Sequence, residues 1–437
     1  MRHDTREKTQ RAVLVGITLP GVKDSETDHS LDELGRLVKT LGYEVMGRLS
    51  QKRGSLTAAA ILGSGKMKEL EYLLGAEECP EGMPYLEEGE AADVAVFDCE
   101  LTPSQLSNLQ RATGADVFDR TGVIVEIFSR HAKTRAAKLQ VETARLKYLA
   151  PRVRLTGRGP GDKLNKAGEK TLELDKRRIR DRIAELRKEI DQIHREQSHS
   201  RTARTLHNSI ALVGYTNAGK SSMMRALTGS SVLVQDKLFA TLDTTVRALH
   251  PPSTPRILVS DTVGFIKKLP TDLVASFRST LEEARNATHL LFVVDSSDAS
   301  FRDQLQTTKD TLASIDIGDT PSHLVLNKID KLEPQELAAL REEFPDALCV
   351  STKDPKSIAW LRDQIIGFFE VDMVERDVFI AYTAVGAIGK LRAKMRVLQE
   401  SHGNEGTTFR VRARASDLEH FKASFEEQVS VKKENLV

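Results

Sequence analysis

The stretch Gly214-Tyr-Thr-Asn-Ala-Gly-Lys-Ser221 determines how the rest of this 437-residue chain is interpreted. It fits the phosphate-loop pattern G-x-x-x-x-G-K-[ST] and lies between a predicted strand, 209–213, and a helix predicted to start near Ser222. In such a loop, backbone N–H groups and a helix N-terminus face the phosphates, the lysine supplies positive charge, and the serine hydroxyl can bind Mg²⁺. The alternative is a chance Gly-rich turn. The motifs downstream favour a nucleotide site.

Two further motifs follow predicted strands, in the order that guanine-nucleotide switches require. Asp261-Thr-Val-Gly264 follows the apolar run 257–260, and Asn327-Lys-Ile-Asp330 follows 324–326. The Asp330 carboxylate can accept hydrogen bonds from the guanine N1–H and exocyclic amine, a donor pair that adenine lacks. The sequence therefore predicts a translation-factor-type GTPase that hydrolyses GTP with an activated water and Mg²⁺.

The predicted nucleotide contacts fall in five segments. They are Gly214, Tyr215, Thr216, Asn217, Ala218, Gly219, Lys220, Ser221 and Ser222 in the phosphate loop; Phe239, Ala240, Thr241, Leu242 and Asp243 in the first switch; Asp261, Thr262, Val263 and Gly264 in the second; and Asn327, Lys328, Ile329, Asp330, Ser351, Thr352 and Lys353 around the base. Lys220, Gly264 and Asn217 are assigned to catalysis. Ser221, Asp261 and one threonine of the first switch are assigned to Mg²⁺, and the residues alone leave that threonine open among Thr241, Thr244 and Thr245.

Two positions differ from the best-known switch GTPases. Phe265 follows the second-switch motif where Ras-like proteins have a water-orienting glutamine, and a phenyl ring cannot orient water. We therefore expect slow intrinsic hydrolysis that a partner or an ion accelerates. Asn217 matches a loop position that helps to bind K⁺ in related GTPases, so K⁺ is a candidate second ion; bracing of the loop is the alternative.

Composition limits the class of protein. With 40% hydrophobic and 29% charged residues, the chain is typical of a globular protein of two to four domains. No apolar run is long enough to span a membrane, and the N-terminus lacks an apolar signal core, so we expect a cytoplasmic protein. We also expect a monomer. Cys79, Cys99 and Cys349 are scattered without metal-ligand spacing.

Positive charge is concentrated in one region. Residues 130–204 contain 22 Lys/Arg and 10 Asp/Glu, although the whole chain has a net charge of only +1. Residues 132–150 lack Gly and Pro, and six apolar residues recur at coiled-coil spacing from Leu172 to Ile193. The pattern predicts an antiparallel helical hairpin with a basic loop at its tip, suited to folded RNA. A rigid spacer between domains is the alternative.

The fold class predicted is multidomain α/β. We expect an N-terminal α/β domain over residues 1–129, a basic helical hairpin over 130–206, a P-loop GTPase domain with a mostly parallel sheet over 207–370, and a small C-terminal α/β domain over 371–437. Specific elements include a strand over 12–17, helices over 31–41 and 388–398, and a helix opened by Thr102-Pro-Ser-Gln105. Gly63-Ser-Gly-Lys66 lacks phosphate-loop spacing and is interpreted as a structural turn.

Longer stretches resemble the HflX family of ribosome-associated GTPases. The similarity is carried by 101–109 (LTPSQLSNL), Asp119-Arg-Thr-Gly122, 138–142 (KLQVE), 157–161 (GRGPG), 239–247 (FATLDTTVR) and 261–266 (DTVGFI). The resemblance implies that Thr241 is the Mg²⁺ ligand of the first switch. It further implies a factor that binds the large ribosomal subunit through its hairpin and splits or rescues stalled or idle ribosomes.

The predicted rRNA contacts lie in the hairpin loop and at its ends: Arg152, Arg154, Arg158, Gly159, Lys163 and Lys166. The chain departs from the family pattern there, because residues 162–168 lengthen the tip by about seven residues. Two other functions stay open: a GTPase that assembles large-subunit precursors, and an RNA-binding scaffold whose nucleotide only fixes a conformation. Intact Lys220, Ser221 and Asp261 argue against the scaffold.

Overall fold

The computed structural model describes residues 9–57, 61–85, 87, 90–152, 166–202, 208–229, 238–239, 245–254, 256–267, 283–317, 320–371, 373–384, 386–425 and 429–432. These residues divide into two compact units. The first contains residues 1–196 together with 235–243 and 268–279, and the second contains the remainder. None of the described helices is both long and apolar enough to cross a membrane.

The first unit contains a parallel sheet of four strands in the order β2-β1-β3-β4. Its strands are β1 (Arg11–Thr18), β2 (Glu44–Lys52), β3 (Val94–Phe97) and β4 (Asp116–Asp119). The helices described around this sheet are α1 (Asp24–Thr40), α2 (Ser64–Leu73), α3 (Pro103–Thr113) and α4 (Arg120–His131). Alternate residues of β1 are buried on the two faces of the sheet, and apolar side chains of α2 and α3 pack with Val13 and Val15 on one of them. The α/β prediction for this region is confirmed.

Sequence predictions in this unit were correct where the residues that cap a helix could be recognised. Thr102 caps α3, its hydroxyl accepts the Gln105 N–H, and the Gln105 side chain accepts the Thr102 N–H. Gly63 is the N-cap residue of α2, and its N–H donates to Gln51 Oε1; Ser64, Gly65 and Lys66 are the first residues of the helix, so this segment is structural but begins a helix instead of forming the predicted turn. Helix α1 begins at Asp24, seven residues before the predicted start, because its first turn is polar and carries Asp24 and Glu26 beside the positive helix terminus.

The predicted hairpin is confirmed as two antiparallel helices, α5 (Arg135–Leu149) and α6 (Lys166–Thr202). Two ion pairs fix the direction: Arg135 with Glu189 and Glu142 with Arg182, each at 3.1 Å. On the seam, Leu186 is fully buried, and half-buried residues flank it at the predicted spacing: Ile179, Ile183, Ile190 and Ile193. The tip, residues 153–165, lies outside the described residues.

The second unit contains a six-stranded sheet in the order β10-β9-β8-β5-β7-β6, parallel except for β6. Its strands are β5 (Asn208–Val213), β6 (Thr245–Ala248), β7 (Ile257–Asp261), β8 (His289–Asp295), β9 (Ser322–Asn327) and β10 (Leu348–Cys349). Its helices are α7 (Lys220–Thr228), α8 (Phe301–Ala313), α9 (Pro334–Glu343) and α10 (Pro355–Phe368). This is the predicted mostly parallel sheet of a P-loop GTPase.

The C-terminal residues form a four-stranded sheet in the order β12-β13-β11-β14, antiparallel throughout. The elements are β11 (Met373–Ala381), α11 (Ala387–Lys394), β12 (Arg396–His402), β13 (Gly406–Arg414), α12 (Ala415–Ser424) and β14 (Val429–Lys432). The helix predicted over 388–398 was wrong beyond Lys394. There the chain turns into β12, and pairing with β13 overrides the helical spacing of Leu391, Met395 and Leu398.

Candidate functional site

Four of the five predicted nucleotide segments lie at one edge of the GTPase sheet. The phosphate loop follows β5, the second-switch motif ends β7, Asn327-Lys-Ile-Asp330 ends β9, and Ser351-Thr-Lys353 follows β10. Because these strands are parallel, their carboxyl ends meet at the same edge. Strand β5 pairs with β7 on one side and β8 on the other, so the loop lies where the strand order reverses.

Two glycines allow the phosphate loop to take its path. Gly219 has a φ of +96°, and a Cβ there would lie 2.2 Å from Asn327 Nδ2. Gly214 has a φ of +152°, and a Cβ there would lie 2.2 Å from the Val293 carbonyl oxygen. Any larger residue at either position would displace the loop from β8 or from the base-binding motif.

Lys220 is buried beneath the loop. Its Nζ donates to the Gly214 carbonyl at 3.0 Å and to the Tyr215 carbonyl at 2.7 Å. Burial lowers the pKa of Lys220 to about 8, and the nearby Asp261 charge partly offsets this effect. The ammonium group is thus held at the start of α7, where phosphates would bind.

Ser221 and Asp261 form the described part of the predicted Mg²⁺ site. The Ser221 hydroxyl donates to Asp261 Oδ2 at 2.7 Å, which brings a hydroxyl and a carboxylate oxygen together beside Lys220. Hard oxygen ligands of this kind suit Mg²⁺, which keeps several waters and needs few protein ligands. Thr241 lies outside the described residues, and so do Ala240, Leu242, Asp243 and Thr244. Thr245 begins β6 and pairs with Asp261.

The base-binding motif is braced against the phosphate loop. Asn327 Nδ2 donates to the Ala218 carbonyl at 2.9 Å, and Lys328 Nζ donates to the Asn217 carbonyl at 2.9 Å. Lys328 also pairs with Asp295 at 2.6 Å. Asp295 was missed by the sequence analysis, although its position directly after the apolar run 290–294 was a usable signal.

Asp330 is oriented by the segment after β10. Its Oδ1 accepts the Ser351 hydroxyl at 2.7 Å, and its Oδ2 lies 3.1 Å from Lys353 Nζ. The hydrogen bond from Ser351, assisted by Lys353, lowers the pKa of Asp330, so the carboxylate stays ionised. An ionised carboxylate is the acceptor that a guanine edge requires.

The remaining predicted residues have varied surroundings. Thr262 is buried, and its hydroxyl donates to the Leu212 carbonyl at 2.7 Å. Asn217 is exposed in the loop with a φ of +60°. Phe239 belongs to the first unit, where its buried ring packs edge-on against Phe128 at a centroid distance of 4.6 Å. All of the assigned nucleotide contacts, including those of Asn217 and Phe239, stay predictions.

Arg152 has intramolecular partners. Its guanidinium donates to Asp119 Oδ2 and to the Leu101 carbonyl, each at 3.0 Å, and to the Tyr148 carbonyl at 2.7 Å. It also lies 3.7 Å from the centroid of the Tyr148 ring, within cation–π range. These contacts fix the end of α5 to the N-terminal sheet immediately before the tip.

A phosphate loop at the strand-order reversal, joined to the predicted guanine-binding motif, is the arrangement of a P-loop GTPase. Comparison with known proteins specifies the family. Residues 28–129, 131–204 and 209–328 match three family models, described as the N-terminal region of GTP-binding GTPases, their middle region, and a 50S ribosome-binding GTPase.

The chain belongs to the HflX family of GTPases, and it is a GTPase. The GTPase HflX of Gluconacetobacter diazotrophicus is 52% identical over 445 residues, covering 96% of this chain and 99% of that protein. The GTPase HflX of Escherichia coli is 36% identical over 347 residues, 78% of each chain. A GTP-binding protein of Sulfolobus solfataricus, solved with GDP, is 24% identical with a TM-score of 0.43, covering 82% of this chain and 98% of that one.

Proposed function

We propose that this GTPase binds the large ribosomal subunit and splits or rescues stalled or idle ribosomes. The observation that carries the proposal is the antiparallel hairpin of α5 and α6, which bears the chain's excess of positive charge. A rod with a basic tip can reach a crevice of folded RNA, where phosphates supply affinity. Family membership supports this use, because residues 209–328 match the 50S ribosome-binding GTPase model.

The proposed rRNA contacts are Gly159 and five basic residues in the tip and at its two ends. Arg154, Arg158, Gly159 and Lys163 lie outside the described residues, and Lys166 is the first residue of α6. Arg152 stays a predicted contact, and its described bonds give it a second role as the anchor from which the tip departs. We propose that the protein acts as a monomer, in the cytoplasm where ribosomes are.

We propose a Mg²⁺-assisted mechanism in which the protein positions the phosphates and stabilises their charge without itself reacting with the nucleotide. Lys220 neutralises charge on the phosphates, the loop N–H groups orient them, and Gly264 N–H contacts the third phosphate. Ser221, Asp261 and Thr241 would hold Mg²⁺, which neutralises charge that develops on the phosphate oxygens. Phe265 offers no group to orient the attacking water, so hydrolysis should be slow until the ribosome or an ion assists.

Asn217 is the proposed K⁺ ligand. It is exposed beside the site of the phosphates, and its backbone is held by Lys328. Single-turnover hydrolysis in KCl and in NaCl at equal ionic strength tests this. We expect faster turnover in K⁺ that Asn217→Ala abolishes, and equal rates in both salts would rule it out.

Light scattering of purified mature ribosomes tests the ribosomal function. Addition of the protein with GTP should lower the scatter as the subunits separate. A combined Arg154→Ala, Arg158→Ala and Lys163→Ala variant should lose this effect but keep GTP binding. The control replaces the exposed cations Lys23, Arg36 and Lys39 of the N-terminal domain by alanine. If mature ribosomes are not split but large-subunit precursors bind, the assembly function replaces this one.

A further inference from the structure

Three hydrogen bonds join the phosphate loop to the residues after Gly264. The Phe265 N–H donates to the Gly214 carbonyl at 3.1 Å, and the Thr216 N–H donates to the Phe265 carbonyl at 2.8 Å. These bonds place Tyr215 beside Phe265 as one step of a parallel ladder. The third bond uses a side chain: the Lys267 N–H donates to the Tyr215 hydroxyl at 2.6 Å.

The ladder fixes the position of Gly264. A Cβ at this residue would lie 2.8 Å from Thr216 Cα and 3.0 Å from Lys220 Nζ. The Gly264 backbone therefore lies directly beside the ammonium group that receives the phosphates. In GTPases of this type the N–H of this glycine contacts the third phosphate, which GDP lacks. Its placement should thus matter for GTP and not for GDP.

Phosphate binding does not require a particular residue at the second position of the phosphate loop, which is Tyr215 in this chain. The pattern G-x-x-x-x-G-K-[ST] leaves it free, because the N–H groups and the lysine do the binding. Tyr215 is nevertheless buried, and its ring would be equally buried as phenylalanine. The hydroxyl is what a phenylalanine would lack, and its hydrogen bond from the Lys267 N–H crosses from the loop to the second switch.

We propose that the Tyr215 hydroxyl is a positioning group for the second switch and favours the binding of GTP relative to GDP. It holds residues 265–267 along the loop so that the Gly264 N–H is in place before the third phosphate arrives. Without the hydroxyl, part of the GTP binding free energy must order this segment. The inference rests on GTPase activity and is independent of ribosome binding.

Tyr215→Phe in the full chain tests the inference. Titration with GDP and with a non-hydrolysable GTP analogue should show an affinity for the analogue about fivefold weaker and an affinity for GDP within about twofold of the parent, as expected for loss of the hydrogen bond from the Lys267 N–H. Single-turnover GTP hydrolysis should slow by a similar factor. The matched control is Tyr382→Phe, which removes a hydroxyl that donates to the Gly403 carbonyl in the C-terminal sheet.

The outcomes separate positioning from a general structural role. Equal weakening of GDP and analogue binding would mean that the hydroxyl only supports the loop, and would overturn the inference. Unchanged or tighter analogue binding would overturn it as well. Retained GDP binding in the variant also shows that the site is folded, so a selective loss for the analogue supports positioning.

Discussion

The Tyr148 hydroxyl donates a 2.7 Å hydrogen bond to Asp119 Oδ1, joining α5 to the end of β4. The same oxygen accepts the Gly122 N–H at 2.7 Å, so Asp119 also caps α4. A Cβ at Gly122 would lie 2.7 Å from the Tyr148 oxygen, and only glycine allows this approach. Burial and the Asp119 charge raise the pKa of Tyr148, so the hydroxyl remains a donor throughout the physiological range.

Tyr148→Phe should loosen this junction without affecting the nucleotide site. Loss of a hydrogen bond to a buried carboxylate costs about 1.5–3 kcal/mol. We expect faster amide hydrogen exchange in peptides covering 116–152, and an unchanged GDP affinity. Tyr382→Phe is the control, because its hydroxyl is exposed. Exchange rates equal to those of the parent protein would show that Asp119 does not need this donor.

Asp330→Asn should exchange guanine for xanthine as the preferred base. An asparagine cannot accept both guanine donors, and the loss of two charge-assisted hydrogen bonds costs about 3 kcal/mol, or more than a hundredfold in affinity. Its amide can instead donate to the oxygen that xanthine carries in place of the amine. Competition between GTP and xanthosine triphosphate measures the change. Asp363→Asn, at an exposed position of α10, should leave GTP preferred.

The Lys220 pKa of about 8 predicts that GDP affinity falls above that pH. Phosphate binding requires the protonated amine, so above about pH 8 each GDP takes up a proton and affinity falls by at most about tenfold per pH unit. Calorimetry in buffers of different ionisation enthalpy measures the uptake. Lys220→Arg should remove the pH dependence, because arginine stays charged. A flat profile in the parent protein would contradict the assignment.

The same pKa also has a consequence for stability, with a definite sign. The folded-state pKa is depressed, so the unfolded chain binds more protons between about pH 8 and 10.5. The contribution of Lys220 to the free energy of unfolding therefore rises with pH across that window. GDP should reverse this trend, because its phosphates favour the charged amine. Denaturant titrations at pH 7.5 and 9.5, with and without GDP, test both directions.

Gly264→Ala should impair GTP use more than GDP binding. The added Cβ would lie 2.8 Å from the Thr216 backbone, so the second switch has to shift away from Lys220. We expect single-turnover hydrolysis to slow by at least about tenfold, or about 1.4 kcal/mol, with GDP affinity largely retained. Gly367→Ala is the matched control, because nothing lies within 4 Å of a Cβ there. Equal hydrolysis rates in parent and Gly264→Ala proteins would contradict the tight packing.

The parts of the fold that follow from local pattern were predictable from sequence. The phosphate loop, the strand before it and the Thr102 capping box depend on a few adjacent residues with one physical solution. The prediction that helix α11 continues beyond Lys394 was wrong, because the pairing of β12 with β13 depends on residues that are distant in the sequence. Spacing that suits a helix also occurs in a strand at the edge of a sheet.

The interactions that orient the site were less predictable. Asp295 supports Lys328 from a neighbouring strand, and the Tyr215 hydroxyl reaches a backbone N–H more than fifty residues away. The apolar run before Asp295 marks the end of a strand, but the partner of neither side chain can be predicted from local sequence, because each contact depends on which strands are adjacent. The resemblance to the HflX family singled out Asp119-Arg-Thr-Gly122 but did not indicate a structural role for these residues. In the structure, Asp119 accepts hydrogen bonds from Gly122 in α4 and from Tyr148 in α5, and Arg120 forms an ion pair with Asp98.

The contacts that hold Arg152 in place limit how far the tip of the hairpin can extend from this residue. The chain leaves this fixed residue at 153 and rejoins α6 at Lys166. The middle of a 13-residue segment therefore lies no farther than about 25 Å from either end, since each residue spans at most about 3.5 Å. Of the seven residues predicted to lengthen the tip, three belong to α6, and the other four would extend this radius by about 7 Å. Any RNA that the tip touches must come within that radius of Arg152.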